Sequence, residues 1–123
     1  MAGTLLKLAY DASDVDMDFD SFNRMLEDWD VEYIEINGTR VGVFFNKGTE
    51  IHFSILPRYR GKWLSKRLVR KLLSPLLDKY GFITTMVPDN KPHGHKIVQK
   101  FGFYEVGRIQ HFTVYRLERL KWV

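Results

Sequence analysis

The sequence predicts a mixed α/β fold in which a mostly antiparallel sheet carries helices on both faces. Three observations support this prediction. Asn37-Gly38 separates two β-rich runs, residues 50–55 alternate strictly between apolar and polar side chains, and leucines recur every four residues between positions 61 and 79. The Asn-Gly pair is typical of a β-hairpin, the alternation of a strand, and the four-residue repeat of a helix.

The first predicted elements are a strand at residues 5–10 and a helix at residues 18–29. The helix is supported by one apolar stripe at spacings of three, four and three, formed by Phe19, Phe22, Leu26 and Trp29. We expect Asp16 or Asp18 to cap its first turn, because a carboxylate there accepts hydrogen bonds from free backbone N–H groups.

An antiparallel meander of three strands is predicted next, at residues 31–36, 40–45 and 50–55. Asn37-Gly38 forms the first turn, and residues 46–48 form the second. In the third strand the side chains divide between two faces, with Ile51, Phe53 and Ile55 on one and Glu50, His52 and Ser54 on the other.

The second half of the chain is predicted to extend the sheet through a central strand, helix, strand crossover of right-handed topology. A helix at residues 61–79 has a leucine-rich face and a basic face, and we expect Pro75 to kink its last turn. The remaining predicted elements are a strand at 82–87, a helix at 92–101 that ends at Gly102, and strands at 104–109 and 112–118.

Length and composition favour one domain over residues 1–123. Hydrophobic residues make up 45% of the chain and aromatic residues 15%, which is enough for a packed core. The absence of cysteine excludes disulfides, zinc-thiolate sites and a cysteine nucleophile. No apolar run approaches the ~20 residues that cross a bilayer, and no signal-like block opens the chain, so we expect a soluble cytoplasmic protein without membrane contact.

Charge is distributed unevenly along the chain, whose formal net charge is +4. Residues 1–35 contain ten acids against Lys7 and Arg24, whereas the remainder contains 17 basic residues against five acids. Two interpretations stay open at this point: a basic surface that binds an anionic ligand, or two solvated faces of opposite sign.

The sharpest local pattern lies at residues 55–64, where a strand ends, a loop with arginine and glycine follows, and a long helix starts. Free backbone N–H groups and the positive end of a helix dipole meet at such a junction, and Arg58, Arg60 and Lys62 add charge. The pattern is typical of a phosphate or pyrophosphate site. The alternative is a plain strand-to-helix connection with solvated basic residues.

Two motifs resemble those of the GNAT superfamily of acyl-CoA N-acyltransferases. Residues 57–62, Pro-Arg-Tyr-Arg-Gly-Lys, resemble the acyl-CoA loop of that family. Asn90 followed by residues 96–103 resembles its next motif, in which an Asn begins a helix that ends in a Gly-Phe turn. The order of elements from Glu32 to Glu118 also matches, and small phage-encoded members are the nearest likeness.

The resemblance implies acetyl-CoA as co-substrate, lying where the strand at 50–55 splays from the strand at 82–87. It implies that pantetheine bonds to backbone near Ile55 and Leu56, that pyrophosphate lies on the following amides, and that an N–H near Ile55 stabilises the oxyanion. The residues implied in cofactor binding are Ile55, Leu56, Arg58, Arg60, Gly61, Lys62, Trp63, Leu64 and Asn90.

The chain departs from the family pattern at three positions. Trp63 stands where the family has Gly and Ser65 where it has Gly or Ala, although small residues let a phosphate approach the backbone closely. Val98 stands where the family has its acid, a Tyr, and cannot donate a proton. Tyr104 or Tyr115 is the candidate substitute.

Glu50 and His52 are the candidate base, because they share one face of the third strand of the meander. The resemblance implies a glutamate base on this strand, often acting through water, and an imidazole ordinarily titrates near neutral pH. The alternative is that both are ordinary solvent-facing residues. His93 and His95 lie two positions apart, but no carboxylate or cysteine completes a ligand set, so no metal site is predicted.

Three functions compete at this stage. The first is an N-acyltransferase that moves an acetyl group from acetyl-CoA to an amine of a small molecule or protein, with a cationic acceptor favoured by the acidic N-terminal segment. The second is a catalytically inactive protein of this fold that acts as a structural or interaction component, in a phage virion or against a host factor. Nucleic-acid binding through the basic helix has the least support, because its aromatic residues are confined to Trp63 and Tyr80.

The sequence also leaves two interpretations of its last predicted strand open. Val114, Tyr115 and Leu117 form either the edge of a homodimer or part of the core.

Overall fold

The structure, a computed structural model, describes residues 2–13, 16–60 and 65–121. Contacts within the chain divide it into two compact units, residues 1–63 and residues 64–123. Each unit is an antiparallel three-stranded arrangement with two α-helices in its described part. The predicted fold class, mixed α/β and mostly antiparallel, is confirmed.

The first unit consists of two helices followed by a meander. Helix α1 covers Ala2–Ser13 and α2 covers Phe19–Met25. Strands β1 (Asp30–Ile36), β2 (Thr39–Lys47) and β3 (Glu50–Ile55) pair in sequence order, and a 3-10 turn at Pro57–Tyr59 follows. The three predicted strands of the meander are confirmed.

The strand predicted at residues 5–10 is wrong, since these residues lie within α1. Ala9 and Ala12 are buried and lie three positions apart, which places them on one face of a helix. Lys7 and Asp11 form an ion pair of 3.3 Å at the helical spacing of four. The prediction failed because it considered six residues, too few to separate a helical repeat from a short apolar strand.

Helix α2 is shorter than predicted, since it ends at Met25 and Leu26 is its C-terminal cap. Its start agrees with one of the two predicted caps: the Asp18 carboxylate accepts a 2.7 Å hydrogen bond from the Ser21 backbone N–H. That backbone hydrogen bond lowers the pKa of the Asp18 carboxyl. Trp29 therefore lies beyond the helix, in the turn that leads into β1.

The first turn of the meander adopts the left-handed backbone that its sequence predicts, with φ of 52° at Asn37 and 81° at Gly38. The second turn comes later than predicted, at residues 48–49, because β2 continues through Lys47. A register shift between Ile34 and Glu35 marks a bulge in the pairing of β1 with β2.

The core of the first unit lies between its helices and one face of the meander. Ala9 of α1, Phe22 and Leu26 contact Val43 and Phe45 of β2 in one buried cluster. Helix α1 is adjacent to all three strands of the meander. Both helices therefore cover the face on which alternate residues of β2 point inward.

The second unit contains α3 (Lys66–Tyr80), β4 (Ile83–Pro88), α4 (Pro92–Phe101), β5 (Tyr104–Ile109) and β6 (Phe112–Leu117). Strand β6 lies between β4 and β5 and is antiparallel to both. The largest fully buried side chains in the described part of this unit are Val69, Leu73, Ile83, Phe101 and Leu117.

Helix α3 starts later than the predicted position 61. Ser65 has extended backbone angles, φ −138° and ψ 149°, and caps the helix through a hydrogen bond from the Leu68 N–H to its hydroxyl. Pro75 lies inside the helix, which continues to Tyr80 and ends at Gly81 with φ 83°.

Helix α4 matches its predicted bounds and ends at Gly102, whose φ is 113°. A Cβ at Gly102 would lie 3.0 Å from the Arg119 carbonyl oxygen, so the returning chain also requires glycine here. Tyr115 and Leu117 are buried on β6, which is paired on both sides. Of the two interpretations of the last strand, the structure therefore supports the core and not a dimer edge.

Candidate functional site

The two residues predicted as the base, Glu50 and His52, are in contact on β3. They lie two positions apart, so the alternation of the strand puts both on one face. The Nε2 atom of His52 is 2.8 Å from Oε2 of Glu50, and about a third of each side chain is exposed, 33% and 36%. The pair is therefore open to solvent on one side.

This pair lies on the helix-covered face of the meander, beside the core. His52 is opposite Phe45 and Ser54 is opposite Val43, and opposite residues of antiparallel strands share a face. The Ser54 hydroxyl is 2.8 Å from the Ser13 hydroxyl at the end of α1. Glu50 and His52 are thus neither fully exposed nor buried, and their role as the base stays a prediction.

Trp29 is the third member of this cluster, which we call the β3 cluster: Trp29, Glu50 and His52. The centroids of the Trp29 and His52 rings are 5.3 Å apart and the ring planes are tilted by 50°. The sequence predicts Trp29 on the apolar stripe of a helix, and no local pattern indicates its contact with His52.

The electrostatics of the β3 cluster favour the charged form of Glu50. The hydrogen bond from His52 lowers the pKa of the Glu50 carboxyl, partial burial opposes that shift, and Lys47 adds a further lowering. Glu50 is therefore a carboxylate at neutral pH and can only accept, so Nε2 of His52 carries the donated proton. In the neutral imidazole, Nδ1 then holds the lone pair that can accept another proton.

The predicted phosphate loop is only partly described. Gly61, Lys62, Trp63 and Leu64 lie outside the described residues, so the predictions made for them stay predictions. Arg58 is exposed, with its guanidinium carbon 5.2 Å from the centroid of the Tyr59 ring. This position leaves Arg58 in solvent at the start of the loop.

Arg60 is bound to backbone within the first unit. Its Nε donates to the Ile55 carbonyl at 3.0 Å, and its Nη2 donates to the Ala12 carbonyl at 3.3 Å. Ala12 is in the last turn of α1, where carbonyl groups lack helical partners. Arg60 thus ties the end of α1 to the end of β3, a contact between distant positions that the sequence alone did not indicate.

The backbone groups at Ile55 and Leu56 point in opposite directions. The Leu56 N–H donates to the Val41 carbonyl at 2.8 Å, so it belongs to the β2–β3 ladder. Ile55, the residue before it, lies opposite Gly42. Along an antiparallel strand, the backbone N–H groups of consecutive residues point alternately toward and away from the paired strand. The N–H of Ile55 therefore points away from β2, which suits the predicted role of a donor to a ligand.

The described start of α3 is electropositive. Lys66 and Arg67 follow the Ser65 cap, both are exposed, and the first turn of α3 contains no acidic residue. The positive end of the helix dipole adds to these charges. The charge of this helix start suits an anionic ligand.

Two other predicted site residues, Asn90 and Tyr104, lie in the second unit. Asn90 is exposed in the turn before α4, and the N-terminal cap of that helix is Lys91. Tyr104 is exposed on β5, and its hydroxyl donates to Glu118 at 3.0 Å. Partial desolvation and that hydrogen bond raise the pKa of Tyr104, so its proton is retained at neutral pH.

Val98, which stands where the GNAT superfamily has its acid, a Tyr, is a buried core residue of α4. Tyr115, the other candidate acid, is also buried, and its hydroxyl is 2.7 Å from Nδ1 of His95 and 3.4 Å from the Gln99 amide nitrogen. Nε2 of His95 is 3.0 Å from the Pro88 carbonyl, which can only accept. These bonds make His95 and Tyr115 a satisfied structural pair, a network that sequence analysis missed.

In residues 2–13, 16–60 and 65–121, no group of three His, Cys, Asp or Glu side chains is arranged to hold a metal ion.

Across the same described residues, no helix has both the length and the apolar character needed to cross a bilayer.

Comparison with solved structures identifies the fold. A protein of Pyrococcus horikoshii OT3, PH1933, superposes with a TM-score of 0.73 at 14% identity, covering 95% of this chain and 89% of that one. The PaiA N-acetyltransferase of Thermoplasma acidophilum, in complex with coenzyme A, gives 0.70 at 14% identity over 94% of this chain and 91% of that one. The ribosomal-protein-S18-alanine N-acetyltransferase of Escherichia coli gives 0.68 at 13% identity over 94% and 86%.

The sequence itself matches no protein-family model and no curated protein. At 13–14% identity, the structural likeness shows the fold alone. That fold is GNAT-like, as the resemblance of the sequence predicted.

Proposed function

We propose that this protein is an N-acyltransferase that transfers an acetyl group from acetyl-CoA to an amine, with Glu50 and His52 acting together as the base. The observation that carries the proposal is the solvent-open Glu50–His52 hydrogen bond on β3 of a chain with the N-acetyltransferase fold. A carboxylate held against an imidazole is an arrangement suited to removing a proton.

The base works through the polarity of the pair. His52 Nδ1 accepts the proton of the attacking amine, and the Glu50 carboxylate stabilises the imidazolium that results. Trp29 limits the positions of the His52 ring through their contact. Glu50 is therefore the positioning partner and His52 the proton acceptor.

The residues proposed to hold acetyl-CoA lie on both sides of the phosphate loop. Ile55 offers a backbone N–H to the acyl oxygen, Arg58 and the residues at 61–64 supply charge and amides, and Asn90 is the predicted contact from the second unit. When bound, acetyl-CoA supplies an activated thioester whose acyl carbon is open to attack by an amine. Arg60 supports this loop through its bonds to Ile55 and Ala12.

The acceptor is proposed to be a cationic amine, either small or part of a protein. The support is the acidic N-terminal segment, residues 1–35, which contains ten acids against Lys7 and Arg24. Negative charge raises the local concentration of positively charged amines. Tyr104 stays the proposed acid, because its hydroxyl is exposed and keeps its proton.

The test is the substitution Glu50→Gln. We expect turnover to fall by about 100-fold or more, because the loss of the carboxylate removes general-base support, while affinity for acetyl-CoA stays unchanged. Turnover is measured as release of the CoA thiol with a diamine, a lysine peptide and a peptide with a free N-terminal alanine. Affinity for acetyl-CoA is measured by calorimetry.

The matched control is Glu32→Gln, which makes the same chemical change at an exposed residue of β1. It should leave turnover as it is. Unchanged turnover in Glu50→Gln would remove Glu50 from the proposed base. Failure of the wild-type protein to bind acetyl-CoA at millimolar concentration would reject the acyltransferase function as a whole.

A second candidate function is supported by two of the departures from the family pattern. Ser65 uses its hydroxyl to cap α3, and Val98 is buried where the family has its acid. Under this alternative the protein is an inactive member of the fold that binds a partner, in a phage particle or against a host factor. The calorimetry separates the alternatives, since an inactive binding protein of this kind need not retain acetyl-CoA. A cytoplasmic location stays a prediction under both.

A further inference from the structure

Strand β5 is the most exposed strand of the molecule. It is the last strand in the sheet order, beside β6, and none of its six residues is buried. Six large apolar side chains are exposed in the described part of the chain, and three of them lie on β5: Tyr104 at 45%, Val106 at 51% and Ile109 at 56%. An exposed edge with apolar side chains is a template for pairing with another strand.

The side chains of β5 divide into a charged face and an apolar face. Glu105 and Arg108 lie opposite Tyr115 and Thr113 of β6, so they share one face of the sheet. Tyr104 and Ile109 lie opposite Arg116 and Phe112, so they share the other. The bulge at Val106 makes this division possible. Glu105 and Arg108 are three positions apart and would lie on opposite faces of a regular strand, but the extra residue of the bulge places them on the same face.

These positions are self-complementary. When β5 is placed antiparallel to an identical strand, with a two-fold axis between Val106 and Gly107, Glu105 comes opposite Arg108 of the second copy. Tyr104 comes opposite Ile109 of the second copy, and Val106 opposite Gly107. Opposite charges and aromatic–aliphatic pairs both stabilise cross-strand contacts, and each pair occurs twice by symmetry.

Space at the centre of this pairing is available. A Cβ built at Gly107 would meet no atom within 4 Å, so the side chain of Val106 from a second copy has room there. Bulges ordinarily hinder edge pairing because they twist the strand. Here the bulged residue faces the one residue of β5 without a side chain.

We propose that β5 pairs antiparallel with β5 of a second copy of this chain to form a symmetric homodimer. The proposal commits to a second copy because the charge order Glu105–Arg108 complements itself under two-fold symmetry. It shares Tyr104 with the acyltransferase proposal, in which that residue is the acid, but its tests measure association and not turnover, so the two proposals fail separately. It also replaces the dimer edge that the sequence suggested on β6.

The test is sedimentation velocity of the full chain from about 1 µM to about 300 µM, the range in which a small interface of this kind associates. We expect a rise from monomer to dimer with concentration. In Ile109→Lys the dissociation constant should rise by about tenfold or more, because a lysine opposes Tyr104 of the second copy. The matched control is Met25→Lys, a change on α2 at a methionine that is 51% exposed, which should leave association intact.

A mixing experiment tests the register. Glu105→Arg alone places two arginines opposite each other, and Arg108→Glu alone places two glutamates opposite each other, so each variant should be monomeric. Because Arg108 also forms an ion pair with Asp89, thermal unfolding must first show that the Arg108→Glu variant is folded. An equal mixture of the two should form a heterodimer, since every cross-strand pair is then of opposite charge.

Two results would overturn the proposal: a wild-type protein that stays monomeric over the whole range, or a dimer that neither Ile109→Lys nor the two charge variants affect. A dimer of that second kind would use another surface.

Discussion

The described part of each unit contains a histidine in contact with an oxygen, and the two pairs differ in partner and in burial. In the first unit His52 contacts the Glu50 carboxylate at 2.8 Å, and about a third of each side chain reaches solvent. In the second unit His95 contacts the buried Tyr115 hydroxyl at 2.7 Å and the Pro88 carbonyl at 3.0 Å. Both pairs join an imidazole to an oxygen at hydrogen-bond distance.

The difference between the pairs shows why a histidine alone does not identify a site. The ring of His95 uses one nitrogen to donate and the other to accept, so it serves to hold β4, α4 and β6 together. The ring of His52 has a carboxylate on one nitrogen and can use the other for chemistry. The type of oxygen and its exposure separate the proposed catalytic pair from the structural one.

The largest predicted effect is on the free energy of unfolding, and it tests whether the two units fold together. Phe22→Ala in the first unit and Phe101→Ala in the second each empty a buried site and should lower the free energy of unfolding by about 3–5 kcal/mol. A chain of roughly 60 residues is marginally stable alone, so we expect both units to lose protection together, as the single-domain prediction requires.

Hydrogen exchange followed by mass spectrometry provides the measurement. Should Phe22→Ala expose the amides of residues 2–60 while those of residues 65–121 keep wild-type protection, the units fold independently and the single-domain prediction is wrong.

A second prediction compares two glycines, one in each unit. A Cβ at Gly42 would lie 2.3 Å from the Ser54 backbone oxygen, whereas a Cβ at Gly107 would meet no atom within 4 Å. We expect Gly42→Ala to destabilise the protein by about 3 kcal/mol, because backbone must shift to accommodate the methyl group. Gly107→Ala is the control and should cost less than about 1 kcal/mol. Urea unfolding measures both, and equal midpoints would contradict the close approach of β2 and β3.

The smallest predicted effect tests the structural role of the His95–Tyr115 pair. Tyr115→Phe removes the hydroxyl that donates to His95, leaves Nδ1 of the half-buried His95 ring without that donor, and should cost about 1 kcal/mol. Tyr104→Phe removes an exposed hydroxyl and should leave the midpoint of thermal unfolding unchanged. If the two variants unfold at the same temperature as the wild type, the His95–Tyr115 bond contributes nothing and the comparison of the two histidine pairs fails.

Much of the fold could be predicted from sequence because its signals are local. Alternation gave the bounds of β3, and the Gly102 cap gave the end of α4. Helix α1 was mistaken for a strand because its inward residues include Ala9 and Ala12, whose small side chains carry little hydrophobic signal. The late start of α3 was missed because Ser65 acts as a cap only through its extended backbone.

The candidate site could be predicted in part for the same reason. Glu50 and His52 follow from the alternation of one strand, so their proximity was readable from two positions. The contacts of Trp29 with His52 and of Arg60 with Ala12 could not be predicted, because they join segments that are distant in sequence. The loop at 61–64 remains a prediction from resemblance.

The central position of β6 has a consequence for the order in which a ribosome releases this chain. The strands of the first unit pair as soon as each emerges, since β1, β2 and β3 are neighbours in sequence and in space. In the second unit neither β4 nor β5 can pair with β6 until β6 has been synthesised, because β6 follows both in the sequence and lies between them in the sheet. The nascent second unit therefore exposes unpaired strand edges until Phe112–Leu117 has left the exit tunnel, an interval in which chaperones have a substrate.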